Sequence, residues 1–99
     1  MIIYNVSIKV DFSVEAEWYD WMKEIHLPAV MNSGCFLDHK MYKLILDEED
    51  GATYVVQYAC TDLDTLKHYQ SEYGPALRLE TERLFRDKYV AFRTAMELV

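Results

Sequence analysis

Apolar and polar residues alternate from the start of the chain. Ile2, Tyr4, Val6, Ile8 and Val10 fall on one side, with Ile3, Asn5, Ser7 and Lys9 on the other, and a period of two over residues 2–10 predicts a β-strand. The period then lengthens. Val14, Trp18, Trp21, Met22 and Ile25 recur at three- and four-residue steps, which predicts an amphipathic helix. Ser13 is the expected cap, with Glu15 and Glu17 near the positive end. Pro28 disfavours helical geometry at Leu27, so the helix is expected to kink or end there, and Asn32-Ser33-Gly34 closes the segment.

Residues 35–46 and 53–60 predict two more strands joined by LDEEDGA. Asp50-Gly51 offers the positive-φ residues of a hairpin, so these strands should be antiparallel neighbours. A second helix starts at Thr61-Asp62 and aligns Leu63, Leu66, Tyr69, Tyr73, Leu77 and Leu84. Gly74-Pro75 interrupts it as a kink, with Pro75 opening a new segment. In the last strand, KYVAFRTAMELV, one face holds Val90, Phe92, Met96 and Leu98; the other holds Tyr89, Ala91, Arg93 and Ala95.

The order β-α-β-β-α-β implies an α+β fold of the ferredoxin-like kind. It has a four-stranded antiparallel sheet, two helices on one face, and the first and third strands in the middle. Residues 1–99 form one domain, small enough to be marginal alone. The alternating set Tyr4, Val6 and Ile8 with Val90, Phe92 and Met96 is expected beneath the helices. The opposite face then carries Ile3, Asn5, Ser7, Val55, Gln57, Tyr89 and Arg93. In the reverse assignment the apolar set forms a dimer core and the mixed face lines a pocket below the helices. Either way, a face too apolar to be left in water calls for a partner sheet or a ligand.

Composition and charge narrow the partners. Hydrophobic residues at 52% exclude a disordered tail. Seventeen acids against ten Lys and Arg give a net charge of −7, which repels phosphate backbones and disfavours nucleic acid. Cys35 and Cys60 lack any CxxC or nearby His, and read as two reduced thiols of a cytoplasmic protein. The start MIIYNVSIKVD lacks the basic region of a signal peptide, and no stretch reaches the length of a membrane span. Three scattered histidines without HxH or HExxH give no metal site, and the DEED run reads as a solvated turn. No nucleotide loop or other cofactor signature is present, so no cofactor is expected.

MIIYNVSIKVD, WMKEIHLPAVMNSGCF and LFRDKYVAFRT resemble, along the whole chain, a family of short bacterial proteins known only as a domain of unknown function. The resemblance implies the dimeric α+β barrel, in which two ferredoxin-like sheets face each other. That superfamily spans cofactor-free monooxygenases, haem-degrading enzymes, isomerases and ligand-binding regulators, so it carries fold and assembly, not function. The His-x-Pro step and following glycine of several such barrels match His26, Pro28 and Gly34. Asn5 matches the Asn of haem-degrading members, but Tyr69 stands near their Trp position and no suitable His follows, which disfavours haem degradation.

The candidate chemistry rests on few side chains. His26 lies about 90° from the centre of the helix stripe and shares that flank with Tyr19; an imidazole beside a phenol can shuttle a proton. The alternative is a cation satisfied at a helix C-terminus. Tyr69 and Tyr73, one turn apart, either stack on an aromatic ligand or pack the core. Arg93 either holds a ligand carboxylate or pairs with an acid across a dimer. His39 and His68 are expected at the surface. Together these features predict a small homodimer, paired through its sheet face, that binds a small apolar or aromatic ligand or acts as an interaction module. The alternative is a cofactor-independent monooxygenase or isomerase with His26 as proton shuttle.

Overall fold

A computed structural model describes residues 1–99. Four strands, β1 (Ile2–Asp11), β2 (Asp38–Lys43), β3 (Gly51–Cys60) and β4 (Tyr89–Glu97), form one antiparallel sheet in the order β2-β3-β1-β4. β1 and β3 take the centre because their alternating β-branched and aromatic residues fill a surface that neighbours cover on both edges. Their register runs from Ile2↔Cys60 to Asp11↔Gly51, so even-numbered residues of both strands share a face. That face is buried: Tyr4, Val6, Ile8, Val10, Tyr54, Val56 and Tyr58 belong to a single core of 20 residues.

Gly51 is not a turn residue. It already belongs to β3, and the only positive φ angles are at Gly34 and Asp87. A Cβ at Gly51 would collide with the carbonyl oxygen of Val10, so glycine is required there by the close approach of β1. β2 is also shorter than expected, because residues 35–37 precede it with Cys35 and Phe36 turned into the core.

The helices are α1 (Glu15–Trp21), a π-helical stretch (Met22–His26), α2 (Leu27–Met31), α3 (Leu63–Glu72) and α4 (Gly74–Phe85). A 3-10 turn over Phe12–Val14 precedes α1, and Asp11, not Ser13, caps it by accepting from the Ser13 N–H at 2.8 Å. Asp62 caps α3 through the Thr65 N–H, also at 2.8 Å. The Gly74-Pro75 break falls where expected, with Pro75 in the first turn of α4, where its missing N–H costs nothing. Leu66 and Tyr69 are buried along α3, whereas Leu63, Tyr73 and Leu84 are exposed. No helix is long and apolar enough to cross a membrane.

β4 reverses its expected orientation. Its register with β1 runs from Ile2↔Glu97 to Val10↔Tyr89, so odd-numbered β4 residues join the even-numbered face of β1. Tyr89, Ala91, Arg93 and Ala95 therefore lie beneath the helices, and Val90, Phe92 and Met96 lie on the open face. The sequence offered an apolar alternation on β4 and that alternation was expected to seek the helix layer; hydrogen-bond register decides otherwise. The open face, with Ile3, Asn5, Ser7, Val55 and Gln57 beside Val90 and Phe92, is more apolar than the sequence implied. The shortest dimension, 19 Å, fits one sheet and one helix layer and leaves that face uncovered.

Candidate functional site

The site begins with the departure from α-helical winding at Met22–His26. Pro28 has no N–H for the carbonyl one turn back, and its ring crowds that carbonyl. The helix does not end there: Leu27 keeps right-handed helical angles, and its N–H bonds the Met22 carbonyl five residues back. A π turn holds one residue more than an α turn, so everything after it is displaced by one position around the axis. Ile25, which α-helical spacing places on the inner stripe, is consequently 56% exposed. His26 takes the inward place and its ring lies 4.9 Å from that of Trp21.

His26 is thus not the terminal cation of a helix, since α2 continues to Met31. Its ring makes no hydrogen bond with the protein and faces a cavity of about 50 Å³, several times what one water needs. The sheet forms the floor, with Tyr4, Val6 and Ile8 from β1, Tyr58 from β3, and Tyr89, Ala91 and Arg93 from β4. Trp18, Met22 and His26 form one wall, and Tyr69 with Gly74, Leu77, Arg78 and Thr81 forms the other. The hollow exists because β4 presents small Ala91 where β1 presents Ile8, its cross-strand partner.

Burial sets the protonation states. Desolvation, then the nearby Arg93 charge, lowers His26 from the usual 6.5 to about 4, so the imidazole is neutral at pH 7. Desolvation and then Tyr4 push the Tyr69 phenol up to about 12. Tyr89 also rises to about 12, through desolvation and then the hydrogen bond its hydroxyl donates to Glu82 at 2.7 Å. Desolvation and then Tyr69 raise Tyr58. The pocket therefore offers neutral phenols, a neutral imidazole and the guanidinium of Arg93. Such a set can stack on an aromatic ring, accept a hydrogen bond at His26, and stabilise negative charge.

Of the residues singled out from sequence, His26, Tyr69 and Arg93 meet here. Tyr19 does not: it is exposed on the outer flank, 6.1 Å from the Tyr54 ring, beside a groove with Glu15 and Asp20. Asn5 sits on the open sheet face, 3.5 Å from the Ser7 hydroxyl. Tyr73 is exposed, near the His68 ring. His68 is exposed as expected, while His39 is half-buried on the helix side of β2, 6.3 Å from the Tyr58 ring. Tyr58, Tyr89, Arg78 and Gly74 were missed. The small residues Ala91 and Ala95 on either side of Arg93 were the available signal: two alanines and a charge on one face cannot fill a core.

The fold and the pocket define a class: an α+β subunit of the ferredoxin-like kind, with a four-stranded antiparallel sheet, helices on one face and a cavity between the two layers. HapK from Hahella chejuensis is 12% identical with a TM-score of 0.75, the likeness covering 100% of this chain and 93% of that one. A putative antibiotic biosynthesis monooxygenase from Deinococcus radiodurans is 11% identical with a TM-score of 0.73, covering 100% and 93%. SnoaB, a cofactor-independent oxygenase from Streptomyces nogalater, is 14% identical with a TM-score of 0.68, covering 99% and 93%. Such identities establish the fold alone. No curated protein matches the chain in sequence. Within this class the chain belongs to the family described as Domain of unknown function (DUF4286), which it matches over residues 1–99.

Proposed function

We propose that this protein binds a small aromatic molecule in the pocket under β4 and works as a homodimer joined through the open faces of two sheets. The carrying observation is that cavity: it is lined largely by aromatic and apolar side chains, and an unpartnered, neutral His26 faces into it. The dimer is supported by Val90, Phe92 and Met96, exposed together on the uncovered face. Two buried free thiols support a reducing cytoplasm as its location. Titration with 2-naphthol, followed by the indole N–H signals of Trp18 and Trp21 in NMR, tests the pocket. Saturable shifts are expected in the wild type and should weaken at least about tenfold in Ala91→Leu, whose added methylenes occupy the hollow. Shifts that persist unchanged in Ala91→Leu contradict the pocket.

A second reading, a cofactor-independent oxygenase, is favoured by the placement of His26 in the cavity. Its unprotonated imidazole can accept a hydrogen bond from a phenol or enol and orient it, while a value of about 4 makes it a weaker base than a free histidine. Oxygen uptake with 1,4-dihydroxynaphthalene and no added cofactor should then exceed background and fall about 100-fold in His26→Gln. Uptake equal in both proteins removes the enzymatic reading and leaves the binding one.

A further inference from the structure

The pocket runs against the charge of the molecule. The chain carries 17 acids and ten Lys and Arg, yet none of the cavity's 15 lining residues is acidic and two are arginines. An outer groove shares Arg78, Tyr89 and Arg93 with the cavity, so both guanidiniums stand at its mouth. Neither pairs with a carboxylate, although Lys9, Lys43, Arg83 and Arg86 all do. The one acid in the outer groove, Glu82, is engaged by the Tyr89 hydroxyl at 2.7 Å and by Arg86 at 3.7 Å.

Gly74 adds an independent observation. It is buried without a positive φ, and a Cβ there would stand 3.4 Å from Nη1 of Arg78 and 3.9 Å from the Tyr69 ring. The Arg78 guanidinium therefore lies against Gly74, one turn earlier, beside the Tyr69 ring of the pocket wall. Arg93 comes from the opposite side, on the helix-facing side of β4, so a partner sheet on the other face does not supply it with an acid.

We infer that the pocket recognises an aromatic carboxylate, its ring against Trp18 and Tyr69 and its anionic group held at the mouth between Arg78 and Arg93. This rests on the ligand-binding reading above and narrows it to one chemical class. Planar guanidiniums suit a carboxylate through paired N–H donors, and here two without a carboxylate partner line one cavity that holds no acid, whereas the other unpaired cations, Lys23, Lys40, Lys67 and Lys88, do not line it. His26, neutral and without a donor or acceptor partner of its own, completes the polar lining without adding charge.

Calorimetric titration with 2-naphthoate and with uncharged 2-naphthalenemethanol tests this in the wild type, Arg78→Gln, Arg93→Gln and the double variant. Both arginines are exposed, so the variants should keep the wild-type circular dichroism and melting temperature. In the wild type the acid should bind at least about tenfold more tightly than the alcohol, the scale of a charge-assisted hydrogen bond. That preference should shrink in each single variant, vanish in the double variant, and weaken with salt. Equal binding of both compounds, unaltered by the substitutions, overturns the anion site and leaves an aromatic pocket standing. Failure of both compounds to bind at millimolar concentration overturns both readings together.

Discussion

β1 and β4 lie side by side, paired from Ile2↔Glu97 to Val10↔Tyr89, yet they divide their side chains in opposite ways. β1 turns its large apolar residues toward the helices and keeps Asn5, Ser7 and Lys9 outside. β4 turns Ala91, Arg93 and Ala95 toward the helices and keeps Val90, Phe92 and Met96 outside. One choice of register therefore does two things: it hollows the core above β4 and makes the sheet's other face apolar. A pocket and an exposed apolar face arise from the same strand, and neither can be altered by register without losing the other.

The largest expected contrast is between the cross-strand partners Ile8 and Ala91. Ile8→Ala removes buried methylenes from a filled site and should lower unfolding free energy by about 2–5 kcal/mol in urea titration. Ala91→Leu adds methylenes to a void and should change stability by less than about 1.5 kcal/mol. A loss of about 3 kcal/mol or more in Ala91→Leu would show that the space above β4 is already occupied.

On the other face, Ser7 opposes Phe92. Phe92→Asp should leave the subunit folded and raise the dimer dissociation constant at least about 100-fold by sedimentation velocity. Each side chain is worth roughly 1.5–3 kcal/mol of burial, and twofold symmetry counts it twice. A wild type that stays monomeric at micromolar concentration would separate the two consequences of β4 and leave only the pocket.

A further expected effect concerns pH. The folded-state value of about 4 at His26 lies below the usual 6.5, so between these values the unfolded chain binds more protons. Stability from this group is complete above pH about 6.5, declines toward pH 4, and levels off below it. Its slope approaches about 1.4 kcal/mol per pH unit within that window. Unfolding titrations of wild type and His26→Gln should diverge in that direction, the carboxylates cancelling between the two. Parallel curves would place His26 in water.

The sequence made the strand order, the broken second helix and the Asp62 start legible, because each has a local cause. Alternation marks β1 and β3, and proline with glycine marks the break. The orientation of β4 was not legible, since both of its faces carry apolar residues and only pairing with β1 settles which is inside. The pocket was half legible for a related reason. His26, Tyr69 and Arg93 stood out as chemistry, but a uniform 100° step set His26 beside Tyr19, and the π turn carries it the other way. Asn5 was grouped with them through the family resemblance and Tyr73 through its one-turn spacing from Tyr69, but sheet register puts Asn5 on the open face and Tyr73 is exposed at the break between the helices.

That π turn also bears on how the chain tolerates changes of length. Met22 and Leu27, both buried, stand five residues apart across it. Deleting one residue between them, such as Lys23, would restore four-residue spacing and regular α-helical winding while both anchors kept their places in the core. The segment is therefore a reservoir of one spare residue: its loss should cost the fold little, whereas a deletion between Leu27 and Val30, beyond the spare residue, would turn those two buried side chains out of phase. A helix that stores an insertion in this way can be edited by a single codon without being shortened into failure, and what such an edit discards is the aim of the imidazole.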